Sequence, residues 1–324
     1  MVQRSVEKIT MELRMLGRSG LKVAPLCFGG NVFGWTADER RSFELLDTFI
    51  AAGFNCIDTA DVYSRWVPGH HGGESEAIIG NWMKSRRNRS QVLIATKVGM
   101  EMQGKKGLSR AHILASIDGS LQRLQTDYVD LYQSHVADPE TPIEETLSTF
   151  AELIAAGKVR AIGASNYTRP QLSAALTASE QLGLPRYESL QPEYNLYTVE
   201  PYQSELEPLC RDSELGVIPY YALAGGFLTG KYRSEQDFAR SARGPSMKRY
   251  LNARGLRILA ALDEVAAETQ ATLAQTALAW LIAQPTITAP IASATSRAQL
   301  DEMLGAVRLK LDASAIERLN RASR

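Results

Sequence analysis

Along this chain, short apolar runs rich in β-branched residues alternate with longer stretches whose apolar positions recur every three or four residues. The short runs fall at 24–28, 54–59, 92–97, 128–135, 161–166, 189–195, 216–221 and 288–293, and each predicts a strand. Amphipathic segments such as 38–52, 109–124, 142–156 and 170–182 lie between them and predict helices. Thr36 or Asp38 suits the cap of the first helix, where a short side-chain oxygen takes an unpaired backbone N–H, and Gly53 suits its end. Thr141-Pro142 opens the segment at 142–156, where proline's missing N–H is harmless, and Gly157 closes it.

Strand–helix alternation argues for parallel strands, which need a crossover between neighbours. Eight strands with no Pro/Gly/Ser-rich linker favour a closed ring over an open doubly wound sheet. The expected fold is α/β, a single-domain (β/α)₈ TIM barrel over 12–324 after an N-terminal extension at 1–11. The length of 324 residues suits this fold, which takes about 250 residues plus insertions. Residues before Leu21 read as a hairpin around Arg18-Ser19-Gly20, placed to plug the barrel floor. The segment 232–252, rich in Arg and Ser and weakly periodic, reads as a long loop after strand seven.

Composition then removes several classes of function. The 36 basic and 36 acidic residues cancel, leaving no global field to attract nucleic acid or an anionic membrane. Cys27, Cys56 and Cys210 are too few and scattered for a disulfide framework or a CxxC zinc site, and read as reduced, packed thiols. His70-His71 sits in a glycine-flanked stretch without further ligands, so no metal is expected, and His112 reads as exposed near a helix start. The first residues lack the apolar core of a signal peptide, and no run approaches the roughly 20 apolar residues of a membrane span. A cytoplasmic protein with a small-molecule partner is expected, with neither nucleic acid nor membrane; self-association is left open.

Polar residues fall at the predicted strand ends. Asp58, Lys97, His135, Ser165 with Asn166, Gln191, Tyr220 and Ser293 each lie on or end a different strand. In a barrel these ends form the rim where active sites of this fold are built. A tyrosine hydroxyl, with a reference pKa near 10, is a poor acid at neutral pH, and a nearby ammonium lowers that value. Asp58 could orient Lys97 beside Tyr63, and His135 could hydrogen-bond a carbonyl oxygen. Such a set makes a general acid for a carbonyl that receives hydride at carbon.

The residues Phe54-Asn55-Cys56-Ile57-Asp58-Thr59-Ala60-Asp61-Val62-Tyr63 resemble the segment of the aldo-keto reductase family that carries its aspartate and tyrosine. Ile94-Ala95-Thr96-Lys97 and Asp130-Leu131-Tyr132-Gln133-Ser134-His135 resemble its lysine and histidine motifs. The likeness continues through Gly163-Ala164-Ser165-Asn166-Tyr167, Gln191-Pro192-Glu193-Tyr194-Asn195 and Leu228-Thr229-Gly230-Lys231-Tyr232, in the manner of the potassium-channel β-subunit-like and bacterial branch. It implies Tyr63 as general acid, Lys97 paired with Asp58, and His135 orienting the substrate. It further implies Gly30 and Asn31 near the nicotinamide, Ser165, Asn166 and Gln191 on its carboxamide, and Tyr220 stacked on its ring. The backbone of Tyr221, Ala222 and Leu223, with Gly226, Lys231 and Arg243, would meet the pyrophosphate. Ser293, Thr295, Arg297, Gln299 and Glu302 would surround the adenosine end.

Ser293-Ala294-Thr295-Ser296-Arg297 stands where many relatives carry Lys or Arg against a 2′-phosphate; hydroxyls and Arg297 suit that group too, so NADP (NADPH) is favoured and NAD stays open. No GxGxxG follows a strand, and the near P-loop ending at Tyr232 lacks the Ser/Thr that holds magnesium. The resulting expectation is an NADPH-dependent carbonyl reductase with an open pocket walled by Trp35, Trp66 and Val67. It would accept aldehydes, ketones or sugar-derived carbonyls. The alternative is a nicotinamide-binding regulatory module of the channel β-subunit type. A metal-dependent barrel isomerase or hydrolase lacks its ligands on adjacent strand ends.

Overall fold

The structure, a computed structural model, describes residues 8–324, so the extension expected at 1–11 lies outside the described residues over 1–7. An antiparallel hairpin, β1 (Arg14–Met15) and β2 (Lys22–Val23), comes first. Then follow β3 (Cys27–Gly29), α1 (Glu39–Ala51), β4 (Cys56–Asp58), α2 (Glu74–Arg86), β5 (Leu93–Val98), α3 (Arg110–Leu124) and β6 (Val129–Ser134). The second half runs α4 (Ile143–Ala155), β7 (Val159–Ser165), α5 (Arg169–Leu182), β8 (Tyr187–Gln191), α6 (Glu207–Asp212) and β9 (Gly216–Val217). It ends with α7 (Ala253–Thr269), α8 (Leu273–Ile282), β10 (Ile291–Ala292), α9 (Arg297–Ala306) and α10 (Ala313–Ser323).

Strands β3 to β10 pair in parallel in the order β10-β3-β4-β5-β6-β7-β8-β9. Thr288 N donates to Val217 O at 2.8 Å and Ile291 N to Pro219 O at 2.8 Å, tying β9 to the stretch leading into β10 and closing the ring. This is the (β/α)₈ barrel. Each predicted strand contains a ladder, and several are shorter than the apolar runs. Pro25, Pro192, Pro219 and Pro290 explain the trimming, because proline offers no N–H to a neighbouring strand.

Side chains alternate across the sheet. Phe28, Ile57, Ile94, Tyr132, Ile162 and Leu190 join the core under the helices. Cys27, Cys56, Ala95, Leu131, Ala161 and Ile291 fill the barrel interior together with Leu16, Leu21 and Val23 of the hairpin. The hairpin therefore closes the floor, and Arg14 holds it there by donating to the carbonyls of Ile282 (3.0 Å) and Ile287 (2.9 Å). The cysteines are free and buried, with Cys27 and Cys56 Sγ 2.9 Å apart.

Asp38, not Thr36, caps α1 by accepting from Arg41 N at 2.8 Å. The loop at 232–252 has more order than its sequence suggests, with short 3₁₀ turns at Glu235–Arg240 and Gly244–Arg249. His112 is half-buried on the first turns of α3 rather than exposed. Among the described residues no helix is long and apolar enough to cross a membrane.

Candidate active site

The alternation that points Cys56 inward points Asp58 inward one layer higher, and the same parity carries Ala95 to Lys97, Leu131 to Gln133 and Ser189 to Gln191. A polar layer thus rests directly on an apolar one. Lys97 is fully buried, and its ammonium uses all three donors: Asp58 Oδ2 at 2.7 Å, Thr59 O at 2.7 Å and Tyr63 Oη at 2.9 Å. The other carboxylate oxygen, Asp58 Oδ1, accepts from Gln191 Nε2 at 2.9 Å and Gln133 Nε2 at 3.3 Å. Burying an ion pair costs several kcal/mol per ion unless the remaining lone pairs and protons are satisfied. Here they are.

Tyr63 reaches this layer from the turn after β4. Asp61 N donates to Lys97 O and Tyr63 N to Ala60 O, folding the turn back so that the Tyr63 ring lies 4.6 Å from Lys97 Nζ. Burial, and then the Asp58 carboxylate whose Oδ2 lies 3.3 Å from the phenol, push the Tyr63 hydroxyl well above its usual range. The lowering expected from Lys97 alone is not what the site produces. Asp58 answers the ammonium at close range, so the phenol holds its proton. His135, at the end of β6, is driven well below the usual imidazole range by burial, then by Lys97 and Arg65, and is neutral.

Above the layer opens a cavity of about 740 Å³. Asp58, Tyr63, His135, Ser165, Asn166, Gln191 and Tyr220 line its base. Its lining also takes Tyr221, Ala222, Leu223, Gly226, Lys231 and Arg243 from the chain after β9, Asn31 from the chain after β3, and Ser293, Thr295, Gln299 and Glu302 from the chain after β10. Asn166 stands at φ 57, a conformation asparagine tolerates; its amide donates to His135 O at 3.0 Å while its oxygen accepts from Tyr220 Oη at 2.7 Å. It therefore cross-links three strand ends. Arg243 lies against the Trp35 ring at 5.1 Å, and its buried Nη2 has no hydrogen-bond partner.

Some expected residues sit elsewhere. Lys97 lies beneath Asp58 and Tyr63 and does not face the cavity. Gly30 is also below the surface, where a Cβ would stand 3.1 Å from Asp58 O. Arg297 is turned to Asp301 at 2.7 Å. Trp66 lines the cavity, whereas Val67 does not, and Trp35 instead backs Arg243 and borders a separate shallow cleft. Sequence reasoning passed over Gln133, Arg65, Val62 and Met100. Gln133 was detectable by strand parity, being an inward polar residue between Leu131 and His135. Arg65 and Met100 lie on loops, where no periodicity assigns a direction.

A tyrosine hydroxyl bonded to a buried lysine thus faces a cavity in the barrel mouth that Arg65, Lys231 and Arg243 also line. Residues 25–324 match the model of the Aldo/keto reductase family, and the chain belongs to that family of oxidoreductases. It is 34% identical over 320 residues to the uncharacterized oxidoreductase YrpG of Bacillus subtilis (strain 168), covering 96% of this chain and 95% of that protein. Identity is 35% over 306 residues to a probable voltage-gated potassium channel subunit beta of Oryza sativa subsp. japonica, covering 92% and 91%. It is 31% over 340 residues to the versiconal hemiacetal acetate reductase of Aspergillus parasiticus, covering 95% and 96%.

Proposed function

We propose that this chain is an NADPH-dependent reductase of aldehydes or ketones, with Tyr63 as general acid. The observation that carries the reading is the saturated Lys97 ammonium, 2.7 Å from Asp58 and 2.9 Å from Tyr63 at the cavity base. Tyr63 keeps its proton at rest because burial and Asp58 oppose ionisation. As charge develops on a substrate oxygen, Tyr63 gives up the proton and Lys97, already bonded to the same oxygen, stabilises the phenolate. Neutral His135 hydrogen-bonds the carbonyl oxygen and turns it toward Tyr63.

The residues fit a nicotinamide dinucleotide, whose reduced form supplies hydride when bound. Arg243 holds a buried guanidinium nitrogen that a pyrophosphate would satisfy. Tyr221, Ala224, Gly225 and Gly226 all take positive φ, and a Cβ on Gly226 would stand 3.6 Å from Lys231 Nζ, so bare backbone and an ammonium line the cavity side by side where a phosphate would sit. Ser165 and Gln191 would take the carboxamide, and Glu302 the adenosine. The Arg297–Asp301 pair is about half exposed and hence weak, so a 2′-phosphate can draw Arg297 away; this favours NADPH over NADH.

The test is NADPH and NADH consumption across aldehydes, ketones and sugar-derived carbonyls. Wild type should consume NADPH faster, and Tyr63→Phe should lose about 10²–10⁴ in kcat/KM. Turnover by Tyr63→Phe at the wild-type rate would sink the mechanism. The likeness to a channel subunit beta favours a second reading, a dinucleotide-binding regulatory module. Tight NADPH binding with no turnover on the whole panel would select it.

A further inference from the structure

Gln133 is fully buried at an inward position of β6, beside Lys97 on one neighbouring strand and Gly163 on the other. One layer below, the corresponding inner positions are Ala95, Leu131 and Ala161, as packing alone prefers. An amide buried there is tolerated only if its polar atoms are paired. Gln133 Nε2 donates to Asp58 Oδ1 at 3.3 Å, and its Oε1 accepts from Gln191 Nε2 at 3.2 Å. Gly163 leaves space on this side: a Cβ there would stand 2.4 Å from Ser189 Oγ and 3.2 Å from Gln133 Cγ.

The donor pattern fixes both amides. An ionised carboxylate only accepts, so Asp58 Oδ1 requires the nitrogen of each glutamine to face it. Gln191 Nε2 is then held between Asp58 Oδ1 at 2.9 Å and Gln133 Oε1, and the Gln191 carbonyl oxygen is the atom left for the cavity it lines. Without Gln133, Gln191 loses one of its two anchors. Asp58 loses a donor on the oxygen opposite Lys97, and its unshared charge bears more strongly on Tyr63.

We propose that Gln133 is a positioning residue: it steadies Asp58 for the Lys97–Tyr63 proton donor and aims the Gln191 carbonyl at the dinucleotide's carboxamide. The inference rests on the reductase reading above. Gln133→Met keeps the length of the side chain and removes both hydrogen-bonding ends. Gln133→Glu keeps the shape, and its carboxyl donates to Asp58 only while protonated.

In the full-length protein, Q133M should retain cooperative unfolding, while NADPH affinity, read from quenching of tryptophan fluorescence, and kcat/KM each fall about ten- to a hundredfold. The alkaline limb of its kcat/KM profile should move to higher pH, because a less shared Asp58 charge makes the phenol harder to ionise. Q133E should match wild type in NADPH affinity at low pH and lose it as pH rises. A side chain that only fills space predicts wild-type affinity and an unmoved pH limb for Q133M, and that result overturns the proposal. Should Q133M fail to fold, a Q133E protein whose NADPH affinity does not change with pH relative to wild type overturns it equally. An active Tyr63→Phe protein rejects the reductase reading itself; an inactive one with a wild-type-like Q133M rejects only this inference.

Discussion

Asp61 lies two residues before Tyr63, with both carboxylate oxygens buried and no side chain bonded to them. Burial first, and then the neighbouring Glu76 carboxylate, push it up to about 8, against the opposing pull of Arg123, the Val62 N–H and Lys97. Glu76 is paired with Arg123 at 2.7 Å, so the cluster has one cation for two carboxyl groups. The folded protein thus holds a proton on Asp61 that the unfolded chain, near 3.8, releases. Stability from this group is complete below pH 4 and is lost as pH rises through about 8, with a slope of up to about 1.4 kcal/mol per pH unit. Asp61→Asn should flatten that slope in chemical denaturation across this range. An unchanged slope would show Asp61 to be ionised throughout. Their place at the ends of predicted strands made Asp58, Lys97 and His135 legible from sequence. The state of Asp61 was not, because pattern tells which face a carboxyl takes but not whether a cation waits there.

Elements were legible where a single period governed them. The helices α1, α3, α4 and α5 fall within a residue of their amphipathic segments, since each buries one face against the sheet. In α2 that signal is blurred: Ser75, Glu76 and Gly80 are buried along with Ile79 and Trp82. The reason lies in its neighbour. A Cβ on Gly80 would stand 2.2 Å from Arg123 O and 2.8 Å from Leu124 C, so the end of α3 rests on bare α2 backbone. Backbone cannot move aside as a side chain can, and Gly80→Ala should destabilise by about 1–3 kcal/mol, read as a lower denaturant midpoint at constant m. The same displacement would pull on Ser75, whose hydroxyl donates to Gly30 O at 2.8 Å, and on Glu76, which accepts from Thr96. NADPH affinity should therefore fall in G80A as well. A midpoint equal to wild type would mean that α3 can re-seat.

At the scale of the molecule, the eight strands, their order of crossover and the closed ring were legible; the manner of closing was not, since β9 and β10 are two residues each and meet through bonds around Pro219 and Pro290. The segment at 310–324 packs away from the mouth, in keeping with the open pocket expected from sequence, and Arg254 and Arg257 hold the carbonyls of Ser323, Ala322 and Arg324 beside α7. The mouth is bounded instead by the loop after β9, which carries Arg243. A buried guanidinium nitrogen without a partner weakens the free protein, and a bound pyrophosphate would reverse that. Arg243→Ala should then act with opposite signs in two states. Without ligand it should be at least as stable as wild type, despite losing the contact with Trp35. With NADPH at a hundred times its Kd, wild type should gain about 2.7 kcal/mol, and R243A at the same concentration much less. Trypsin adds a local reading, because Arg233, Arg240, Lys248 and Arg249 are exposed along this loop. NADPH should slow cleavage there in wild type and not in R243A. Equal protection in both proteins would move the pyrophosphate contact from Arg243 to Lys231 and the left-handed backbone at Gly225 and Gly226.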